Sequence, residues 1–120
     1  MLQQVQPVLP SQDVRASIEF YTKRLGFRLA FQDSETPAYA GVRRDSIELH
    51  LQWHDPEEWS RVERPMLRIV VTEIESLFAE YKSAGVFHEQ TDLRETAWGT
   101  QEFAFYDPYQ NGLTFYRDRN

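Results

Sequence analysis

The apolar residues of this chain fall into two helical stripes set among runs that alternate like strands. Val14, Ile18, Tyr21 and Leu25 recur at i, i+4, i+7 and i+11, the spacing of one face of an amphipathic helix. Ser11-Gln12-Asp13 supplies a turn and an N-cap ahead of that stripe, and Gly26 a left-handed stop behind it. Ile74, Phe78 and Tyr81 repeat the stripe, closed this time by Gly85. Residues 5–9, 27–32, 39–43, 47–53 and 67–71 read as strands, another opens at Val86-Phe87, and 93–100 reads as a loop. Pro7 lies inside the first strand, which confines that strand to a sheet edge or to a crossing between subunits, because proline donates nothing to a ladder.

The last quarter is the most informative. Two β-rich runs flank Asp107-Pro108-Tyr109-Gln110-Asn111-Gly112, where Asp-Pro opens a turn and Asn-Gly is expected to supply its positive φ. The expected hairpin buries Phe103, Phe105, Leu113 and Phe115. Trp98-Gly99 stands just before its first strand. One reading leaves the indole exposed beside a flexible glycine, and the other makes it a cap on the core.

Strand, turn, helix, glycine and three strands thus occur twice, with a period of roughly sixty residues, long for a solenoid unit and suited to two βαβββ modules. The expected fold class is α+β: a single domain over 1–120, with module one at about 1–58 and module two at about 59–120. Neither module is large enough to bury both faces of its sheet, so the two are expected to pair. The acidic, turn-rich run at 54–61 is the expected link, with Trp53 packing it and Trp59 on a ligand rim.

Composition narrows the function. Thirteen basic against nineteen acidic residues leave a net charge of −6, which argues against nucleic acid as a partner and is compatible with a cationic ligand. There are no cysteines, so disulfides and thiolate metal sites are excluded. A mean hydropathy of −0.62 and the absence of any run long enough to cross a bilayer point away from the membrane. The start Met1-Leu2-Gln3-Gln4 lacks the basic and apolar regions of a secretory signal, so the cytoplasm is the expected compartment. No Gly-rich phosphate loop, nucleophile elbow or cysteine nucleophile is present.

Pro7-Val8-Leu9-Pro10-Ser11-Gln12-Asp13-Val14, followed by Ile18-Glu19-Phe20-Tyr21-Thr22-Lys23-Arg24-Leu25-Gly26-Phe27, resembles the opening of the vicinal oxygen chelate (glyoxalase/bleomycin resistance/dioxygenase) superfamily. Pro7, the run Tyr39-Ala40-Gly41-Val42-Arg43-Arg44-Asp45, and Trp98-Gly99 with Glu102-Phe103-Ala104, Asp107-Pro108 and Asn111-Gly112 resemble its bleomycin-resistance branch. The resemblance runs from about Val5 to Tyr116. It implies paired βαβββ modules in a curved mixed sheet, a homodimer with its first strand exchanged, and two ligand clefts at the subunit interface. It further implies sequestration, without chemistry or cofactor, of a cationic metal-chelating glycopeptide whose flat bithiazole stacks between aromatic rings. Trp98 and Tyr39 match the stacking positions, the latter usually phenylalanine in the family. Segment 28–38 is a few residues longer here, which alters the wall near Phe31 and Asp33.

The remaining ligand-binding candidates are Gly99, Glu48, His50, Trp59, Glu102, Asn111 and Gly112, with Asp33, Glu48 and Glu102 as the carboxylates expected to favour the drug's cationic tail. Two alternatives stand beside drug sequestration: a metal-dependent lyase, isomerase or thiol transferase on the same scaffold, and a binder of another small aromatic metabolite. The four superfamily metal positions fall on Gln6, Glu48, Met66 and Thr114, of which Met66 is too soft and Thr114 too weak for an oxygen-loving ion. A displaced site at Glu48 and His50 is the lesser reading; polar residues on a cleft-facing sheet is the preferred one.

Overall fold

The doubled pattern is realised as a doubled topology in the computed structural model, which describes residues 1–119. Two compact units divide at Arg64 and Pro65. Unit 1 contains β1 (Val8–Ser11), α1 (Val14–Glu19), β2 (Arg28–Gln32), β3 (Tyr39–Arg44), β4 (Ile47–Trp53) and a short α2 (Pro56–Trp59). Unit 2 contains β5 (Met66–Val70), α3 (Ile74–Ala84), β6 (Arg94–Glu95), β7 (Thr100–Tyr106) and β8 (Gly112–Asp118). The sheets have the orders β1-β4-β3-β2 and β5-β8-β7-β6. In each, the first strand runs parallel to the last and the other pairings are antiparallel. No helix of the described residues is long and apolar enough to cross a membrane.

Each helix stripe buries against its own sheet. Val14, Tyr21 and Leu25 lie with Val42, Leu49 and Leu51 in unit 1, and Ile74 and Tyr81 lie with Phe103, Phe105, Leu113 and Phe115 in unit 2. The four hairpin residues expected on the buried face are all there. Gly26 and Gly85 end their helices at φ 78° and 71°, values that cost glycine little and β-carbon residues more.

Four local expectations are corrected. The first strand starts at Val8, so Pro10 lies within it and Pro7 just outside, where its carbonyl accepts from His50 N at 2.8 Å. The strand is at a sheet edge, as proline requires. The first helix leaves α geometry after Glu19 and continues as a π turn over Phe20–Arg24; there the Thr22 hydroxyl donates to the Ile18 carbonyl at 2.8 Å and competes with the regular ladder. No strand opens at Val86. Val86 is buried and the Phe87 ring packs 5.0 Å from Phe78 and 5.6 Å from Phe103, so apolarity there serves packing, and pairing begins instead at Arg94, inside the expected loop.

The last correction is the hairpin turn. Its left-handed residue is Gln110, at φ 69°, not the Asn-Gly pair. Asp107 organises it: Oδ1 accepts from the backbone N of Tyr109 (2.9 Å) and Asn111 (3.0 Å), and Oδ2 from Asn111 Nδ2 (2.8 Å). Gly112 opens β8 where the Met66 side chain crosses it, so a Cβ there would displace the Met66 thioether.

Candidate functional site

Cross-strand partners share a sheet face, so the register shows which side chains meet away from each helix. In unit 1, Val42 opposite Leu49 and Ala40 opposite Leu51 turn to the core. Gly41 opposite His50 and Arg43 opposite Glu48 therefore turn to the other face, with Tyr39 two residues before Gly41. Regular alternation along β2 would send Phe31 to the core side with Leu29. A bulge between them shifts the register, so Leu29 pairs with Val42 and Phe31 with Gly41. Phe31 thereby joins Tyr39 and His50, its ring lying on Gly41 so closely that a Cβ there would collide with it.

The result is an aromatic corner with a polar floor. Phe31 and Tyr39 are stacked with centroids 6.2 Å apart, and the His50 imidazole stands edge-on to both at 5.3 Å. His50 Nε2 lies 2.7 Å from Glu48 Oε2, and Nδ1 lies 2.8 Å from the Tyr39 hydroxyl. With Nε2–H donating to the Glu48 carboxylate, Nδ1 accepts from the Tyr39 hydroxyl. Arg43 Nε donates to Glu48 Oε1 at 3.1 Å, and Gln6 Nε2 to Oε2 at 3.1 Å.

Unit 2 builds a second face from β5, β7 and β8. Thr100, Glu102 and Ala104 alternate with the buried Phe103 and Phe105. Glu102 Oε2 accepts from Arg68 Nη2 (2.7 Å), Thr100 Oγ1 (2.7 Å) and Trp98 Nε1 (3.2 Å). The Arg68 guanidinium in turn lies 4.3 Å from the centre of the Tyr116 ring. Trp98 and Glu102 line a groove of about 330 Å³ together with Ala104, Thr114, Gln90, Asp92 and Arg94. Trp98 itself is 69% exposed, so it stands at the groove and does not cap the core.

The other candidates lie elsewhere in their units. Asp33 Oδ1 accepts from Ala38 N at 3.0 Å and braces the β2–β3 loop. The half-buried Trp59 is covered by the Arg64 guanidinium, 4.6 Å from its ring centre. Asn111 is buried in the Asp107 turn, and Gly112 lies under Met66. Sequence reasoning missed Arg43, Arg68, Thr100 and the groove residues Gln90, Asp92 and Arg94. Arg43 was legible, because a tight turn at Asp45-Ser46 sets it directly across from Glu48; Arg68 was not, lying 34 residues from Glu102.

Of the four superfamily metal positions, Gln6 and Glu48 lie in unit 1 and Met66 and Thr114 in unit 2. Glu48 is engaged by Arg43, His50 and Gln6, while Thr114 Oγ1 donates to Met66 Sδ at 3.3 Å. A divalent ion at the unit 1 pair would have to break those hydrogen bonds, and the thioether and neutral hydroxyl of the unit 2 pair are poor ligands for an oxygen-loving one. Among the described residues no group of three or more His, Cys, Asp or Glu is placed to hold a metal ion.

Both carboxylates are held below the usual glutamate range. For Glu48 the His50 hydrogen bond contributes most, then Arg43, against a smaller opposing effect of burial. For Glu102 the Arg68 hydrogen bond contributes most; burial opposes it, and Thr100 and Trp98 add to the lowering. A carboxyl that ionises more readily when folded stabilises the fold at neutral pH, and that stabilisation is lost as pH falls below about 4 through the folded value. Melting temperature measured from pH 7 to pH 3 is expected to fall more for the wild type than for Glu102→Gln. Coincident acid curves would contradict the Glu102 assignment.

Comparison with known proteins bears on the family and the fold. A family model described as Glyoxalase/Bleomycin resistance protein/Dioxygenase superfamily matches residues 3–115. The bleomycin resistance protein of Geobacillus stearothermophilus is 30% identical over 132 aligned residues, covering 98% of this chain and 97% of its own. The crystal structure of a bleomycin resistance determinant encoded on transposon Tn5 superposes with a TM-score of 0.82 at 21% identity, over 99% of this chain and 100% of that one, a likeness of fold. The bleomycin-binding protein of Streptomyces verticillus, solved with copper(II)-bleomycin, is 30% identical with a TM-score of 0.73, over 96% of this chain and 97% of that one.

Proposed function

The chain belongs to the glyoxalase/bleomycin resistance protein/dioxygenase superfamily, and we propose that within it this protein binds and sequesters a bleomycin-family glycopeptide antibiotic without modifying it. The observation that carries the reading is Trp98, an indole 69% exposed at the lip of a groove and oriented by a hydrogen bond to Glu102. An exposed aromatic with its edge fixed offers a flat heteroaromatic a ready stacking surface, worth on the order of 1 kcal/mol per ring pair beyond buried area. The Phe31–Tyr39–His50 corner is a second such surface, in unit 1. Near-full-length identity of 30% to proteins named for bleomycin resistance and bleomycin binding supports the same ligand.

In this reading the protein works in the cytoplasm as a homodimer and performs no reaction on the drug. The donor set favours binding over metal catalysis, since its hard ligands are tied into hydrogen bonds and its remaining ones are soft or neutral. Dialysis against copper-loaded bleomycin tests sequestration and inertness together. Drug is expected to be retained by the protein and recovered at unchanged mass after denaturation; a modified product would overturn the non-catalytic reading, and no retention would overturn the ligand. A sedimentation coefficient of a monomer at micromolar concentration would overturn the dimer.

A further inference from the structure

We propose that Glu102 is a positioning residue, which fixes the plane of the Trp98 indole while its own charge is taken up by Arg68. The proposal rests on the binding role above for its affinity measurement alone. Packing does little to hold this indole: it is largely exposed, and the following Gly99, at φ 90°, has nothing within 4 Å of where a Cβ would stand. Among the described residues its one hydrogen bond is to Glu102 Oε2, at 3.2 Å. That same oxygen receives Arg68 Nη2 and Thr100 Oγ1, both at 2.7 Å, which leaves the carboxylate one orientation and little uncompensated charge. Arg68 is itself held over the Tyr116 ring at 4.3 Å.

Unit 1 uses the same device. Arg43 neutralises Glu48, and Glu48 fixes the imidazole whose Nδ1 accepts from Tyr39. In both units an arginine-paired carboxylate thus sets the attitude of an aromatic ring, directly for Trp98 and through His50 for Tyr39. The expectation from sequence that Glu48 and Glu102 attract the cationic part of a ligand gives way to a different role, because a guanidinium already occupies each of them.

The test compares Glu102→Gln, which keeps an acceptor, with Glu102→Leu, which does not, alone and combined with Trp98→Phe, which keeps a ring but drops the donor. The first readout is the indole N–H resonance of Trp98 in nitrogen-labelled protein; the second is affinity for copper-loaded bleomycin. Glu102→Leu is expected to move the resonance to the position of a solvated indole and to weaken binding about tenfold, the size of a hydrogen bond to a charged group. Glu102→Gln is expected to cost less than about threefold, and Glu102→Leu to add no further loss once Trp98 is phenylalanine. A Gln variant as impaired as the Leu variant, or losses that simply add, would overturn the proposal by showing that the ligand reads the charge itself. If the wild type bound no drug, the proposed function would fall and the resonance would decide alone: unmoved in Glu102→Leu, it overturns the positioning role.

Discussion

Replacing Trp98 by alanine is expected to weaken the binding of copper-loaded bleomycin by about 1–3 kcal/mol, roughly five- to a hundred-and-fifty-fold. The substitution removes the ring that stands at the groove, together with the N–H that meets Glu102. It leaves the core intact, because the indole lies outside it. The melting temperature should therefore stay close to that of the wild type while affinity collapses. Calorimetric titration beside a thermal melt separates the two quantities; unchanged affinity would move the binding surface away from unit 2.

Phe103→Ala is expected to do the reverse at first, costing about 3–5 kcal/mol of stability as a buried aromatic truncation. Phe103 sits at the centre of the unit 2 core, with ring centroids of Phe115, Phe78, Phe87 and Tyr81 at 5.2, 5.3, 5.6 and 6.4 Å. Collapse of neighbours into the cavity is limited, because those rings are themselves braced against Phe105 and the helix α3. Phe103 also backs the groove between Glu102 and Ala104, so the surviving folded protein should bind more weakly as well. Urea denaturation gives the stability; a loss below about 1 kcal/mol would mean that the aromatic cluster does not form as described.

Much of this architecture was legible in the chain because it repeats. The stripes Val14–Tyr21–Leu25 and Ile74–Tyr81, each closed by a glycine, carry the period that a helix on a sheet requires, and both are buried as that period demands. The hairpin face Phe103, Phe105, Leu113 and Phe115 follows from alternation alone. What the pattern hid were departures from regularity. The bulge at Ala30 moves Phe31 across the sheet, and no propensity marks it. The Asp107 side chain builds the turn whose positive φ falls on Gln110, although Asn-Gly was the stronger local signal.

The site divided in the same way. Glu48 and His50 were legible as a pair, because i and i+2 positions of one strand share a face, whereas Tyr39 was named apart from them and joins them only through the pairing of two strands. Trp98 and Glu102 were named separately, and nothing in their spacing announced the Arg68 that joins them, since that contact depends on the register of three strands. The charges were the least legible part. Counting carboxylates suggested a surface for cations, and it did not show that both glutamates are paired with arginines.

Titration of the wild-type protein with copper-loaded bleomycin, followed by tryptophan fluorescence, bears most directly on whether this fold is a drug binder. A saturable change at micromolar drug, absent from Trp98→Ala, is the expected result. No saturable change in the wild type, or an undiminished one in the variant, would contradict it.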